Sequence, residues 1–348
     1  MRGALTGKVV VGVEGWGYAA RMAGVASGRG RVAGIRRTAV RALADYPVEG
    51  ARLRFVADGE NTTFRVDAGG EQYLMRVHRP NRHGVGVDSR VAVGAELDWL
   101  AALQADTELS VPTPVRTRAG QWTTVVDGRV CSLLGWQGGR MQAANPRPVH
   151  FRRLGGVLAR LHEHASTYEP PAGFVRMRWD WETFFGNTME YGGVSAAGCW
   201  DLLPQAVRAQ FDEVARRMRT VMAVLGEAAD AFGLIHADLH LENALFDGDA
   251  VRVIDFDDCG FGYWLYDLAV PLWDNRHRAD YPAYRETLLE GYAAHRDLPD
   301  LTHLDDFIAT RDVAFGLWFA GMSQVNPAFA ADLDRTMSYI HSSLEQAL

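Results

Sequence analysis

Residues 234 to 258 read LIHADLHLENALFDGDAVRVIDFDD, and this segment restricts the chain more than any other. It carries an aspartate (Asp238), an asparagine (Asn243) and a second aspartate (Asp255). Between the last two lie short apolar runs, Ala244 to Phe246 and Val251 to Ile254, around the turn signal Asp247-Gly248-Asp249. Apolar runs flanking an Asp-Gly turn form a hairpin, and a hairpin folds Asp255 back beside Asn243. Phosphoryl transfer from a nucleotide asks little covalent chemistry of a protein. It needs a carboxylate near the acceptor hydroxyl and oxygen ligands for magnesium beside the phosphates. Asp238 supplies the first and Asn243 with Asp255 the second; no other stretch implies a reaction.

Two other readings use the same residues. A histidine and carboxylates in a loop can cap and solvate a neighbouring helix. His236 and His240 can also be read as a zinc pair like that of H-E-x-x-H. The zinc reading lacks an obvious third ligand, and the strand, loop and hairpin context favours transfer chemistry.

The segment resembles the catalytic core of the kinase superfamily, in which H-x-D-x-x-x-x-N precedes a metal-binding D-F-G or D-x-x element. The matching residues are His236, Asp238, Asn243 and Asp255. Ala237 stands in place of arginine, and His240 in place of the lysine usual in protein kinases. The dialect is similar to that of aminoglycoside phosphotransferases, with choline kinases, type II homoserine kinases and a bacterial stress-response protein kinase among their relatives. The resemblance implies an α+β, two-lobed protein kinase-like fold, with a small β-rich N-lobe and a larger, mainly helical C-lobe. It divides the chain into an extension with a leading helix over 1–50, the N-lobe over 51–137 and the C-lobe over 138–348.

The N-lobe parts follow in order. Leu53 to Val56 and Phe64 to Val66 alternate and flank Asp58-Gly59-Glu60-Asn61-Thr62. In that turn Gly59, Asn61 and Thr62 bring backbone N–H groups towards phosphate oxygens. The strand Gln72 to Val77 places Arg76 where the resemblance expects a lysine. Lys8 is the only lysine in the chain, so an arginine must do any phosphate pairing in this lobe. A guanidinium offers a planar fork that stays charged; the plainer reading is an outward strand residue. Arg90 to Leu103 has helical apolar spacing, and its Glu96 is the expected partner of Arg76. Arg129 to Trp136 reads as a strand before the hinge Gln137-Gly138-Gly139. By the resemblance it leads to the adenine linker, which makes Leu133, Leu134 and Trp136 base contacts; an ordinary sheet strand is the alternative.

Phe151 to His164 and Ala206 to Leu225 are amphipathic helices of the C-lobe. Asp267, in YDLAVPLW, and His236 are expected by the resemblance to support the catalytic loop. If the chain after Asp255 is extended, Asp257 points to the same side and helps with a second metal; a solvated carboxylate is the alternative. On the acceptor side, Trp179-Asp180-Trp181-Glu182, Tyr191 and Trp318 mix aromatic faces with carboxylates. That mixture suits a cationic, amine-bearing alcohol, although tryptophans at helical spacing also serve as core.

With 348 residues, 48% hydrophobic and 23% charged, the chain can bury a large core. Its net charge of −7 argues against a general nucleic-acid binder. Cys131, Cys199 and Cys259 form no C-x-x-C pair, which suggests neither a zinc ribbon nor a disulfide framework and makes the cytoplasm the default. No apolar run reaches membrane-spanning length. The Gly- and Arg-rich first thirty or so residues read as a poorly ordered extension, with Met22 as an alternative start. The expectation is an ATP- and Mg2+-dependent kinase acting on a small-molecule hydroxyl, with neither nucleic acid nor membrane as partner. A Ser/Thr protein kinase of the stress-response type and a catalytically silent nucleotide-binding fold remain as alternatives. The sequence leaves the oligomeric state open.

Overall fold

The structure is a computed structural model that describes residues 29 to 59, 61 to 80 and 87 to 348. The Gly- and Arg-rich start, Met22, Lys8 and Glu60 of the expected phosphate turn lie outside the described residues. The N-lobe begins with helix α1 (Arg29–Leu43) and strands β1 (Arg52–Asp58), β2 (Thr62–Ala68) and β3 (Glu71–Val77). Helix α2 (Ser89–Asp106) and strands β4 (Pro114–Val115), β5 (Thr123–Val126) and β6 (Arg129–Gly135) complete it. The sheet is antiparallel with order β1-β2-β3-β6-β4, and β5 also pairs with β6.

Alternation along β3 and β6 decides what each face of this sheet does. Met75, Val77, Cys131 and Leu133 turn to one side, where they join Ile35, Ala39 and Leu43 of α1 and Tyr46 in a small core. The described part of the expected extension is therefore core structure of the N-lobe. Arg76 on β3 and Val130 and Leu134 on β6 turn to the other side. Helix α2 covers that second face and sends Val93, Leu97, Trp99 and Leu100 into the larger core.

The C-lobe continues with α3 (Pro148–Thr167), β7 (Met177–Trp179), α4 (Trp181–Phe185), β8 (Glu190–Tyr191), β9 (Val194–Ser195) and α5 (Ala196–Asp201). Next come α6 (Gln205–Leu225), β10 (Phe232–Ile235), β11 (Ala244–Asp247), β12 (Ala250–Val253) and β13 (Gly260–Tyr263). Helices α7 (Trp264–Trp273), α8 (Tyr281–Ala293), α9 (Leu304–Ser323) and α10 (Pro327–Ala347) close the chain. The β11–β12 hairpin pairs Ala244 with Val253 and Asp247 with Ala250, as the Asp-Gly turn requires. Strands β10, β13 and β7 form a separate small sheet. Among the described residues no helix is long and apolar enough to cross a membrane.

Helices α3 and α8 meet backbone to backbone at glycines. A Cβ at Gly155 would lie 2.0 Å from the Leu288 carbonyl oxygen, and one at Gly291 would lie 1.9 Å from that of Arg152. Alongside, Phe151 stacks on Tyr284 with ring centroids 4.4 Å apart. Because main chain and not a side chain blocks the space, no rotamer change relieves an added methyl. Gly155→Ala should therefore lose about 1–3 kcal/mol or more of stability, read as a lower urea midpoint. Gly34→Ala in α1, where the nearest other atom is 3.9 Å away, should instead gain roughly 0.5–1 kcal/mol from helix propensity.

Candidate active site

The catalytic loop leaves β10 at His236 and is held from below by Asp267, a fully buried carboxylate in the first turn of α7. Asp267 accepts from the backbone N–H of His236 at 2.9 Å and of Ala237 at 2.7 Å. Between these and Asp238 the chain turns through a left-handed Ala237, φ 67°, a conformation that costs an alanine about 1–2 kcal/mol. Two hydrogen bonds to one carboxylate, each worth roughly 1.5–3 kcal/mol, offset it. Asp267 is fixed in turn by His162 of α3, whose Nε2 lies 3.1 Å from Oδ2 and whose Nδ1 faces the Tyr292 hydroxyl at 2.9 Å.

His236 uses both ring nitrogens locally. Nε2 donates to the Ile254 carbonyl at 3.1 Å and Nδ1 accepts from the Asp238 N–H at 3.3 Å, with the ring tilted on Phe256. These contacts close the zinc-pair reading of His236 and His240. The Ile254 N–H donates to the Asn243 carbonyl at 2.9 Å, so the hairpin returns Asp255 to the end of the catalytic loop. Asp255 is itself left-handed, φ 66°, and strain of this kind is held only where the surroundings over-determine it.

Asn243 is 1% exposed. Its Nδ2 donates to the Asp238 carbonyl at 2.8 Å and to Asp238 Oδ2 at 3.1 Å. With Nδ2 so engaged, its Oδ1 is left buried with no hydrogen-bond partner, an arrangement that is expensive unless an external group satisfies it. A hard cation would do so: amide and carboxylate oxygens are the donors magnesium takes, and Asp255 would supply the carboxylate. The residues fit the metal expected there.

On the N-lobe side, Arg76 Nη2 lies 2.7 Å from Glu96 Oε1, with the two side chains 4% and 0% exposed. Arg76 is thus an inward residue, because its face of the sheet is the one α2 covers. Burial alone would push its pKa down, but Glu96, then Asp257 and Asp255, carry it upward and hold it charged. Burial raises the Glu96 carboxyl, and Arg76 opposes that shift.

The structure corrects the placement of Asp257. Phe256–Asp258 is a turn of 3-10 helix, so strand alternation does not carry from Asp255, and Asp257 is neither on a shared face with it nor solvated. It is 2% exposed and faces the N-lobe, with Oδ2 accepting from Asn61 Nδ2 at 2.9 Å, Arg76 Nη1 4.0 Å away and His78 Nδ1 3.7 Å away. Of the phosphate turn, Gly59 donates its N–H to the Asn61 carbonyl and accepts from Arg79. Thr62 is buried with its hydroxyl turned to Asp58 at 2.6 Å. In the linker strand Leu134 is a core residue at 2% exposure, whereas Trp136 stays half-buried with the Arg65 guanidinium 5.3 Å over its ring.

The expected acceptor residues separate. Asp180 caps α4 by accepting from the Thr183 N–H, and Trp181 is covered by Arg219 3.5 Å over its ring. Trp318 packs edge-on to Phe329 in the core. Two of the set come near the catalytic loop: Trp179, whose Nε1 donates to the Asp258 carbonyl at 2.8 Å and whose ring stacks on Tyr266, and Tyr191, within electrostatic reach of Tyr266, Asp258 and Arg311.

Two arginines escape the sequence reading. Arg176, 6% exposed, donates to the carbonyls of Asp257, Cys259 and Ala92 at 2.6, 2.6 and 2.9 Å and so ties the loop after Asp255 to α2. Arg311 of α9 pairs with Asp238 and donates to the Tyr266 hydroxyl at 3.0 Å. Only one signal marks it in the sequence, a charged pair, Arg311-Asp312, inside the apolar helical run FIATRDVAFGLW.

A carboxylate oriented by an asparagine, a buried unsatisfied oxygen beside a second aspartate, and a buried arginine–glutamate pair above them define the site of a phosphotransferase of the two-lobed kinase type. The chain belongs to the phosphotransferase enzyme family, whose model matches residues 52–304. Amicoumacin kinase of Bacillus subtilis is 26% identical over 244 residues, 67% of this chain and 66% of that one. A homoserine kinase of Methylobacillus flagellatus is 29% identical over 283 residues, 78% and 80% of the two chains. Among solved structures, a microcompartment-associated aminopropanol kinase superposes with a TM-score of 0.74 at 30% identity, covering 88% of this chain and 94% of that one. An amicoumacin kinase in complex with AMP-PNP and Ca2+ shares the fold, with a TM-score of 0.71 at 20% identity over 88% and 93% of the chains. This chain is a small-molecule kinase, a phosphotransferase with an alcohol group as acceptor.

His162 supplies a test of the loop's support. Burial lowers its pKa, against the raising effect of Asp267, so it stays neutral in the fold. A depressed histidine contributes stability that is complete above the unfolded pKa of about 6.5 and is lost as pH falls below it, because the unfolded chain takes up the proton first. The Tm should decline between about pH 6.5 and 5, and this decline should be shallower in His162→Gln. An unaltered slope in that variant would place the acid sensitivity elsewhere.

Proposed function

We propose that the chain moves the γ-phosphoryl group of ATP, with magnesium, to the hydroxyl of a small amine-bearing alcohol. The observation that carries this reading is Asn243, which holds the Asp238 carboxylate with its Nδ2 and leaves its buried Oδ1 for a cation. In the proposed step the acceptor oxygen bonds to the γ-phosphorus and the bond to the β,γ-bridging oxygen breaks. The acceptor proton passes to Asp238, and ADP and a phosphate ester leave. Magnesium, when bound by Asn243 Oδ1 and Asp255, offsets the charge of the β and γ phosphates. Arg76, held by Glu96, pairs with phosphate oxygens, while Gly59 and Asn61 shape the turn above them. Trp136 flanks the base. Asp267 and His236 keep the loop in its strained form.

An amine in the acceptor is supported by charge. Asp238 and Asp258 are both within electrostatic reach of Arg311, and carboxylates at this place favour a cationic acceptor. The aminopropanol kinase, among the most similar solved structures, takes an acceptor of this chemistry by its name.

Phosphate transfer from Mg·ATP into a pool of amino alcohols, aminoglycosides, hydroxy amino acids and sugars, read by mass spectrometry, tests the reading. Asp238→Asn should lower kcat on the order of 100-fold or more while AMP-PNP still binds. A fully active Asp238→Asn would remove the proton-acceptor assignment. Asp255→Ala should abolish the magnesium-dependent gain in AMP-PNP affinity measured by calorimetry; an intact gain would move the metal elsewhere.

A further inference from the structure

Arg311 lies 73 residues beyond Asp238 in sequence yet forms an ion pair with its Oδ1. The two side chains are 15% and 17% exposed. The other oxygen, Oδ2, accepts from Asn243 Nδ2 at 3.1 Å and has His240 Nε2 3.5 Å away. One carboxylate is therefore gripped at both oxygens from two different elements, the catalytic loop and α9, and its rotation is arrested.

The guanidinium is itself fixed. Its second arm donates to Tyr266 at 3.0 Å, and the Tyr266 ring is fully buried against Trp179 and Phe184 at 5.8 and 4.7 Å. Its carbon lies 5.7 Å from the centre of the Trp273 ring. Tyr266 precedes Asp267, so one turn of α7 controls both the backbone of the catalytic loop, through Asp267, and its reacting side chain, through Tyr266 and Arg311. A charge placed on a helix as buried as α9 carries a desolvation penalty. Holding a fork between two fixed partners is something an ammonium does poorly and a planar guanidinium does well.

We propose that Arg311 is a positioning residue of the acceptor site, holding the Asp238 carboxylate in the orientation that receives the acceptor hydroxyl. The proposal rests on the phosphotransfer reading above. It assigns Arg311 to the acceptor half of the reaction and leaves nucleotide binding to the N-lobe.

The test is a double-mutant cycle. Arg311→Met and Arg311→Lys are each made alone and together with Asp238→Asn, with kcat, acceptor KM and the AMP-PNP dissociation constant measured for all. Arg311→Met should lower kcat about 100-fold, the scale of a misplaced reacting group, while AMP-PNP affinity stays within about twofold. Added to Asp238→Asn it should lower kcat by less than about threefold, because nothing is left to position. Arg311→Lys should fall between arginine and methionine, and it carries the same cycle if the methionine variant does not fold. Full kcat in Arg311→Met, a loss that multiplies undiminished onto Asp238→Asn, or a parallel loss of AMP-PNP binding would each overturn the proposal. A fully active Asp238→Asn would instead remove the proton-acceptor assignment on which the proposal rests, so the two failures are distinct.

Discussion

The Asp267 carboxylate is the interaction on which the rest of the site depends. The catalytic loop runs through a left-handed alanine, which no local preference supports. It is held there because two consecutive N–H groups meet one buried acceptor. That acceptor is in turn placed by His162, and so by the packing of α3 on α8 through Gly155 and Gly291. Bulk packing of the C-lobe is thereby converted into the position of Asp238.

A second set of contacts joins the lobes across the loop that follows Asp255. Asp257 faces Asn61 at the tip of the first hairpin as well as Arg76 and His78, and Arg176 ties its carbonyl to α2. The turn between β1 and β2, Arg76 and the loop bearing Asp255 are therefore one connected polar structure. Such buried networks are rigid when satisfied and costly when broken. Here two buried oxygens have no hydrogen-bond partner, Asn243 Oδ1 in the catalytic loop and Glu96 Oε2 of the pair with Arg76.

How much of this could be read beforehand depends on the separation of the partners. The β11–β12 hairpin was legible because its turn chemistry is local. Arg76 with Glu96 was legible from order alone, a strand followed by a helix with one acid in its middle. Asp257 was misread because the alternation rule presumes an extended chain and the backbone turns there instead. Asp180 and Trp181 carried two readings in the sequence, pocket or scaffold, and the structure gives each a scaffold contact, a local helix cap for Asp180 and the distant Arg219 guanidinium for Trp181. The roles of Arg176 and Arg311 were not legible, since their partners lie 81 and 73 residues away, and only the charge pair in an apolar run marks Arg311.

By itself the sequence determined the class of reaction, phosphoryl transfer, and the residue types at short spacing that point to it: Asp238, Asn243 and Asp255 around a hairpin, a strand arginine and a helix glutamate. Period-two alternation also determined which face of β3 Arg76 occupies. Only the tertiary structure decided that this face is a buried one, that Asp257 serves the N-lobe, and that an arginine from α9 grips Asp238. The reason is physical. Local spacing sets what a side chain can do and which way it leaves the backbone, whereas which charges share one low-dielectric interior is settled by how distant helices pack.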